Sequence, residues 1–213
     1  MPTLSEAESK QKLAARGVPV PAEALVSTPE EAAAAAARLG FPVVAKLCGP
    51  TIAHKTERGL VRLGLTDEGA VEAAAADLLA AARPDDGEVG VLVGQMVRGG
   101  RELIAGMGRD PQFGPYVMLG LGGILAEAVA EVVFRLVPLA RVDAEEMIEQ
   151  LPAQRLLAAF RGEPEVDRSA LADVLVALSD LAAAEPRLMS ADLNPLIISD
   201  GRPVAVDALL EMA

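Results

Sequence analysis

Residues 41–61 read FPVVAKLCGPTIAHKTERGLV: an apolar strand from Pro42 to Cys48, a polar loop, and the start of a second strand. One charge, Lys46, interrupts the first strand. A buried ammonium without a partner is costly, so Lys46 either reaches past the strand edge to water or meets an anion in a cleft. The loop holds His54, the single histidine of the chain. An imidazole can be an ordinary polar group, or a nucleophile that carries a phosphoryl group near neutral pH. Lys55 and Arg58 beside it would stabilise an anionic adduct. One histidine and one cysteine supply too few soft ligands for a zinc site. Gly49–Thr56 is one residue short of a P-loop, with His54 where the second glycine is needed, and a strand rather than a helix follows. The stretch therefore reads against a Walker-type phosphate cradle.

Outward from this stretch, helices and strands alternate at first. Ser5 and Glu8 form a capping-box pattern at the start of a helix over 5–16, ended by Gly17, Pro19 and Pro21. A short strand near 24–26 precedes Thr28, an N-cap, with Pro29 at the first helical position and Glu31 completing a second box. An alanine-rich helix runs to Gly40. After the quoted stretch come a strand over 60–65, a helix from Asp67 to about 82, a loop, and a buried strand over 89–96. The turn Arg98-Gly99-Gly100-Arg101 then marks a lobe boundary, dividing the chain into 1–96 and 97–213. Strands near 102–108, 116–119 and 131–137 follow, then helices near 143–150, 153–160 and 168–184. Gly120, Gly122 and Gly123 lack the third glycine of a dinucleotide fingerprint and read as a tight turn. The pattern is α/β (α+β): two lobes with mixed or antiparallel sheets flanked by helices.

The chain ends in a hairpin, NPLIISDGRPVAVD over 194–207, whose Asp200-Gly201 pair signals a two-residue turn. Pairing across that turn sets Asn194 opposite Asp207, so their oxygen atoms can converge on one hard cation. The ordinary alternative is that Asx-Pro opens a turn and Asp closes a strand.

Composition limits the partners. Of 213 residues, 52% are hydrophobic but only 2% aromatic, so the core is built from small aliphatic side chains. A formal net charge of −12 without a basic stripe argues against nucleic acid. No run approaches the ~18–20 uncharged apolar residues of a membrane span, and MPTLSEAESK has no apolar stretch of a signal peptide. A lone cysteine, Cys48, suits a reducing cytoplasm.

Five ordered segments carry a family resemblance: GVPVP (17–21), the quoted 41–61, VLVGQMVRGGRELIAGMGRDPQFGPYVMLGLGGILAEAV (91–129), FRLVPL (134–139) and ADLNPLIISDGRPVAVDA (191–208). Together they resemble the beta subunit, or beta-equivalent domain, of NDP-forming acetyl-CoA synthetases, related to succinyl-CoA synthetase. The resemblance implies an ATP-grasp fold in which two lobes close on Mg-ATP. It implies nucleotide phosphate contact by Lys46, adenine reading by the backbone of Gln95, Met96 and Val97, and a hinge-proximal acid in Glu102. Asn194 and Asp207 match magnesium ligands, and Asp192 falls at a nearby acidic position. His54 matches a histidine that passes phosphate between nucleotide and partner. The implied activity is an ADP-forming acid–CoA ligase with Mg²⁺, completed by a separate alpha-type CoA-binding subunit in a hetero-oligomer. A non-catalytic ATP-sensing module and a stand-alone carboxylate–amine ligase are the alternatives. Two positions depart from the pattern: Leu60 stands where many relatives have glycine, and Ser190 where an acid often stands.

Overall fold

The structure is a computed structural model and describes residues 2–52, 55–123, 132–152, 154–159 and 162–213. The chain forms two compact units, Pro2–Glu8 with Pro21–Met96, and Ser9–Val20 with Val97–Ala213. The division falls after Met96, and Ser9–Val20 belongs with the later residues. The reason is packing. Leu13 is fully buried, Ser9 Oγ accepts the Leu210 N–H at 3.2 Å, the Ala205 N–H donates to Pro19 O at 2.9 Å, and Lys12 pairs with Glu185.

In the N-terminal unit, β1 (Glu23–Val26), β2 (Val43–Cys48), β3 (Val61–Leu65) and β4 (Gly90–Gln95) form an antiparallel sheet in the order β1-β4-β2-β3. The helix α1 (Glu6–Ala14) starts here, and α2 (Pro29–Leu39) and α3 (Glu68–Ala80) pack with the sheet. Successive side chains of a strand point to opposite faces. On β2 this sends Val43, Ala45 and Leu47 into a core with Ala32, Ala36, Val71, Ala75 and Leu78, and leaves Lys46 on the other face. Alanine is what α2 can place close to a sheet while keeping high helix propensity.

The expected caps are present, with one difference. Ser5 and Glu8 form their box, the Ser5 N–H donating to Glu8 Oε2 at 2.9 Å and the Glu8 N–H to Ser5 Oγ at 3.3 Å. Thr28 Oγ1 accepts the Glu31 N–H at 3.2 Å, but Glu31 returns its bond to the Ser27 N–H rather than to Thr28, its side chain reaching one amide further back. Gly40, at φ +85°, closes α2 with its N–H on Ala36 O.

The segment between β2 and β3 is tied at its base. Leu60 is 1% exposed and belongs to the aliphatic core, and its N–H and C=O bond Lys55 O and the Leu47 N–H at 2.8 and 3.0 Å. Leucine at this departing position therefore anchors the segment by burial, which a glycine could not do. Arg58 adds a two-bond grip on Asp86, at 2.7 and 2.9 Å. Asp86 ends a short 3-10 turn, Pro84–Asp86, in what the sequence suggests is plain loop. Gly49 is required by packing, since a Cβ there would lie 2.9 Å from Asp86 O.

In the C-terminal unit, β5 (Arg101–Asp110), β6 (Gly114–Leu121), β7 (Val132–Leu136), β8 (Leu188–Ser199) and β10 (Leu209–Met212) lie in the order β10-β8-β5-β6-β7, with β9 (Arg202–Ala205) paired to β8. Along β6, Val117, Leu119 and Leu121 are buried while Tyr116 and Met118 are partly exposed. The helices are α4 (Arg141–Gln150), α5 (Gln154–Leu157) and α6 (Arg168–Ala184). The helix expected over 153–160 is thus one turn long within the described residues. At the far end of α6, Arg109 donates to Ala182 O and Glu185 O at 2.7 and 3.1 Å, satisfying carbonyls that a helix end leaves open. Arg101, expected in a boundary turn, instead opens β5 with its guanidinium buried against Glu163 and the carbonyls of Leu156, Ala158 and Pro164. The terminal hairpin turns as read: Asp200 and Gly201 both have positive φ, +48° and +81°, as a two-residue type I′ turn requires. No helix among the described residues is long and apolar enough to cross a membrane.

The Arg58–Asp86 grip has a pH signature. Hydrogen bonds from Arg58, helped by the Arg83 N–H and opposed by burial, hold the Asp86 carboxyl at about 2. A depressed acid contributes stability above its unfolded value, about 3.9 for Asp, and loses it as pH falls toward 2. Asp86→Asn should therefore lower the melting temperature at pH 7. In thermal melts at stepped pH, the gap to the parent should narrow below pH 4 and close near pH 2. A gap independent of pH would show that charge is not what ties this segment.

Candidate functional site

In the N-terminal unit the chemistry gathers around one carboxylate. Glu6, on the first turn of α1, has a side chain only 1% exposed and stands between two ammonium groups. Its Oε1 accepts from Lys46 Nζ at 2.6 Å. Its Oε2 lies 2.7 Å from Lys55 Nζ, a charge contact rather than an aligned hydrogen bond. Both lysines are themselves nearly buried, with side chains 10% and 9% exposed. The choice left open for Lys46 is thus decided: it does not reach out to water, and an anion it meets is supplied by the protein. Cys48, at the end of β2, lies within reach of the same charges. Its thiol is raised, chiefly by burial and further by Glu6, while the backbone of Ala7 and the charge of Lys55 oppose the shift.

His54 and Ala53 lie outside the described residues. The neighbours of His54 on its C-terminal side are placed: Lys55 on Glu6, Arg58 on Asp86, Leu60 in the core. The loop is followed by β3, not by a helix, as the reading against a P-loop expects.

Gln95 ends β4 and Met96 follows it. Their N–H groups are already donated, to Ala22 O at 3.0 Å and Pro42 O at 3.2 Å. Gln95 Nε2 reaches Leu39 O at 2.9 Å. A backbone donor for a base in this stretch would therefore be that of Val97.

In the C-terminal unit, Asp192 and Asn194 are both exposed on β8, between the buried Ala191 and Leu193 and before the buried Leu196. One register runs through the terminal strands, with Leu196 opposite Ala205 on β9 and Asp192 opposite Leu209 on β10. Stepping inward from both pairs brings Asn194 opposite Asp207, in the gap between β9 and β10. Asp192 stays solvent-facing at its edge, yet its carboxyl is pushed up, first by desolvation against the surrounding strands and then by the negative charge of Asp207. Two carboxylates that repel one another, with an amide oxygen beside them, are hard donors that suit Mg²⁺ or Ca²⁺. Among the described residues no group of three His, Cys, Asp or Glu side chains forms a metal cluster. The donor set fits a cation that keeps waters or substrate oxygens in its shell, as Mg²⁺ does.

Glu102 is exposed on β5. Gly122 donates its N–H to Glu102 O at 2.8 Å and sits where a Cβ would be 2.9 Å from Leu103 O. Gly120 lies inside β6, so the glycine cluster is a strand end rather than a single tight turn. At the other departing position, Ser190 Oγ donates to Glu211 Oε2 at 2.6 Å across the β8–β10 ladder, so a carboxylate stands there from the opposite strand.

Sequence reasoning missed Glu6, Asp86 and Glu211. An acid in the first turn of a helix reads as a dipole partner. Only the unmet demand of Lys46 for an anion hinted that one would be used.

Comparison with known proteins gives the family. Residues 2–212 match the model of an ATP-grasp domain. The chain is 40% identical over 208 residues to the beta subunit of ADP-forming acetate–CoA ligase I from Pyrococcus furiosus, covering 96% of this chain and 90% of that one. Among solved structures, it resembles the dinucleotide-forming acetyl-coenzyme A synthetase 1 of Ca. Korarchaeum cryptofilum in complex with coenzyme A, Ca-AMPCP and HgCl⁺, with a TM-score of 0.93, 36% identity, and 100% and 94% of the two chains covered. A second structure of that enzyme, with coenzyme A and Mg-AMPPCP and its phosphohistidine segment pointing towards the nucleotide-binding site, gives 0.84, 37%, and 98% and 92%. The chain belongs to the ATP-grasp family, and within it is a ligase subunit of the beta type found in ADP-forming acyl-CoA synthetases.

Proposed function

We propose that this subunit takes the terminal phosphoryl group of Mg-ATP onto His54 and hands it to a separate alpha-type subunit, where an acid and coenzyme A become the acyl-CoA. The observation that carries this is the pair of nearly buried lysines, Lys46 and Lys55, gathered on one carboxylate, Lys55 being the sequence neighbour of the single histidine. The phosphohistidine segment of the Korarchaeum enzyme, aimed at a nucleotide site, supports the same route.

Each group has a defined task. Lys46 meets the phosphate oxygens, and Val97 N–H, with the carbonyls of the 95–97 stretch, reads the base. Glu102 stands as an acid near that stretch. Asn194 and Asp207, with Asp192 beside them, hold Mg²⁺, which when bound neutralises the phosphate oxygens and positions the terminal one. A ring nitrogen of His54 forms the new bond to phosphorus as the bond to the bridging oxygen breaks and ADP leaves. The phosphorus–nitrogen bond keeps a high transfer potential, so the step runs both ways. The subunit works in the cytoplasm, within a hetero-oligomer.

Three measurements test this. Asp207→Ala should weaken Mg-dependent ATP binding about tenfold or more in calorimetry, since half of the oxygen clamp is lost. Unchanged affinity removes Asp207 from the site. Incubation with labelled Mg-ATP should add one phosphate that survives base and falls away in acid, with the partner present or absent. His54→Gln should abolish the label and overall synthesis while largely sparing ATP binding. Normal turnover of the assembled His54→Gln enzyme would favour direct transfer, as in a carboxylate–amine ligase. Finally, the purified chain alone should form no acetyl-CoA from acetate, coenzyme A and ATP. Steady synthesis would end the half-enzyme reading.

A further inference from the structure

We propose that Glu6 is a positioning residue of the phosphate site, and that Lys55, held by it beside Lys46, is a second phosphate-binding residue. This rests on the reading that Lys46 meets the nucleotide's phosphates.

The geometry is specific. Lys46 comes from β2 and Lys55 from the segment that leads to β3, and nothing in the strand register brings their side chains together. Glu6 does, with one oxygen for each, at 2.6 and 2.7 Å. Two ammonium ions this close and this little exposed repel strongly, because screening by water is reduced. A bridging carboxylate offsets that repulsion and holds the two ammonium groups near one another. Lys55 has a further claim, being the residue next to His54. A group that binds the phosphate there shares it between the nucleotide side and the carrier.

The carboxylate itself sits on a braced turn. Ser5 and Glu8 cap the helix one residue before and two after Glu6, and Thr3 Oγ1 bonds Pro50 O at 2.5 Å at the end of β2. This brace fixes where the two lysines meet. It also explains why Pro2–Glu8 belongs to the N-terminal unit while the rest of α1 does not.

The test is calorimetry of the full chain with Mg-ATP and with adenosine, which lacks phosphates. Lys55→Met and Glu6→Gln should each weaken Mg-ATP tenfold or more and leave adenosine affinity within twofold. Glu6→Asp, which keeps the charge, should recover part of the loss. The double variant Glu6→Gln/Lys55→Met should bind no worse than about threefold below either single one, since both act through one link. Full Mg-ATP affinity in Lys55→Met overturns the proposal, and so does tighter binding in Glu6→Gln, which would make Glu6 a competitor of the phosphates. Equal losses for ATP and adenosine would also overturn it, by showing a general structural role. Should Glu6→Gln fail to fold in circular dichroism, Lys55→Met decides alone, because it leaves the Glu6–Lys46 pair intact. Lys46→Ala separates the two readings: unchanged Mg-ATP affinity there removes the nucleotide role of Lys46 itself, whatever Lys55 does.

Discussion

An ammonium ion on an otherwise apolar strand makes a demand that much of the N-terminal unit is arranged to meet. Lys46 sits between Ala45 and Leu47, which face a core that among the described residues is aliphatic throughout. Its charge cannot be left without an anion, because desolvating an unpaired ion costs several kcal/mol. Glu6 answers it from forty residues away. That requirement ties the chain's first helical turn to the middle strand of the unit. It also draws in Lys55, and so fixes one end of the segment that carries His54.

The segment from Lys55 to Leu60 is therefore held in three different ways. A buried ion contact joins Lys55 to Glu6, a two-bond guanidinium grip joins Arg58 to Asp86, and Leu60 is sunk in the aliphatic core. Each acts on a different physical basis: charge, directional hydrogen bonding and exclusion from water. The core anchor should persist when charge is screened or titrated, while the other two respond to pH and salt.

The C-terminal unit uses backbone geometry instead. Its donor residues lie along one hairpin, and the same register on both sides of the β9–β10 gap sets Asn194 opposite Asp207. The exposed positions of β8, Asp192 and Asn194, alternate with buried Ala191 and Leu193. A slip of one residue would turn every donor into the core and every apolar side chain out. The placement of these oxygen donors and the packing of the core are thus specified by the same pairing, which the Asp200-Gly201 turn sets.

Much of this was legible in the chain itself. Caps at Ser5 and Thr28, the glycine end of α2 and the type I′ turn are local: each depends on residues within four positions, so composition and spacing suffice. The opposition of Asn194 and Asp207 was also legible, because a two-residue turn transmits register with no tertiary help. The ordered segments carried the family. What the tertiary structure alone decided were the contacts between distant stretches. Glu6 looked like any acid at a helix start, Asp86 like loop, Ser190 like a lost acid, and residues 9–20 like part of the first lobe. Their roles depend on which strand or helix lies alongside. That is set by the burial of many small aliphatic side chains at once, a collective condition that no short window of sequence contains.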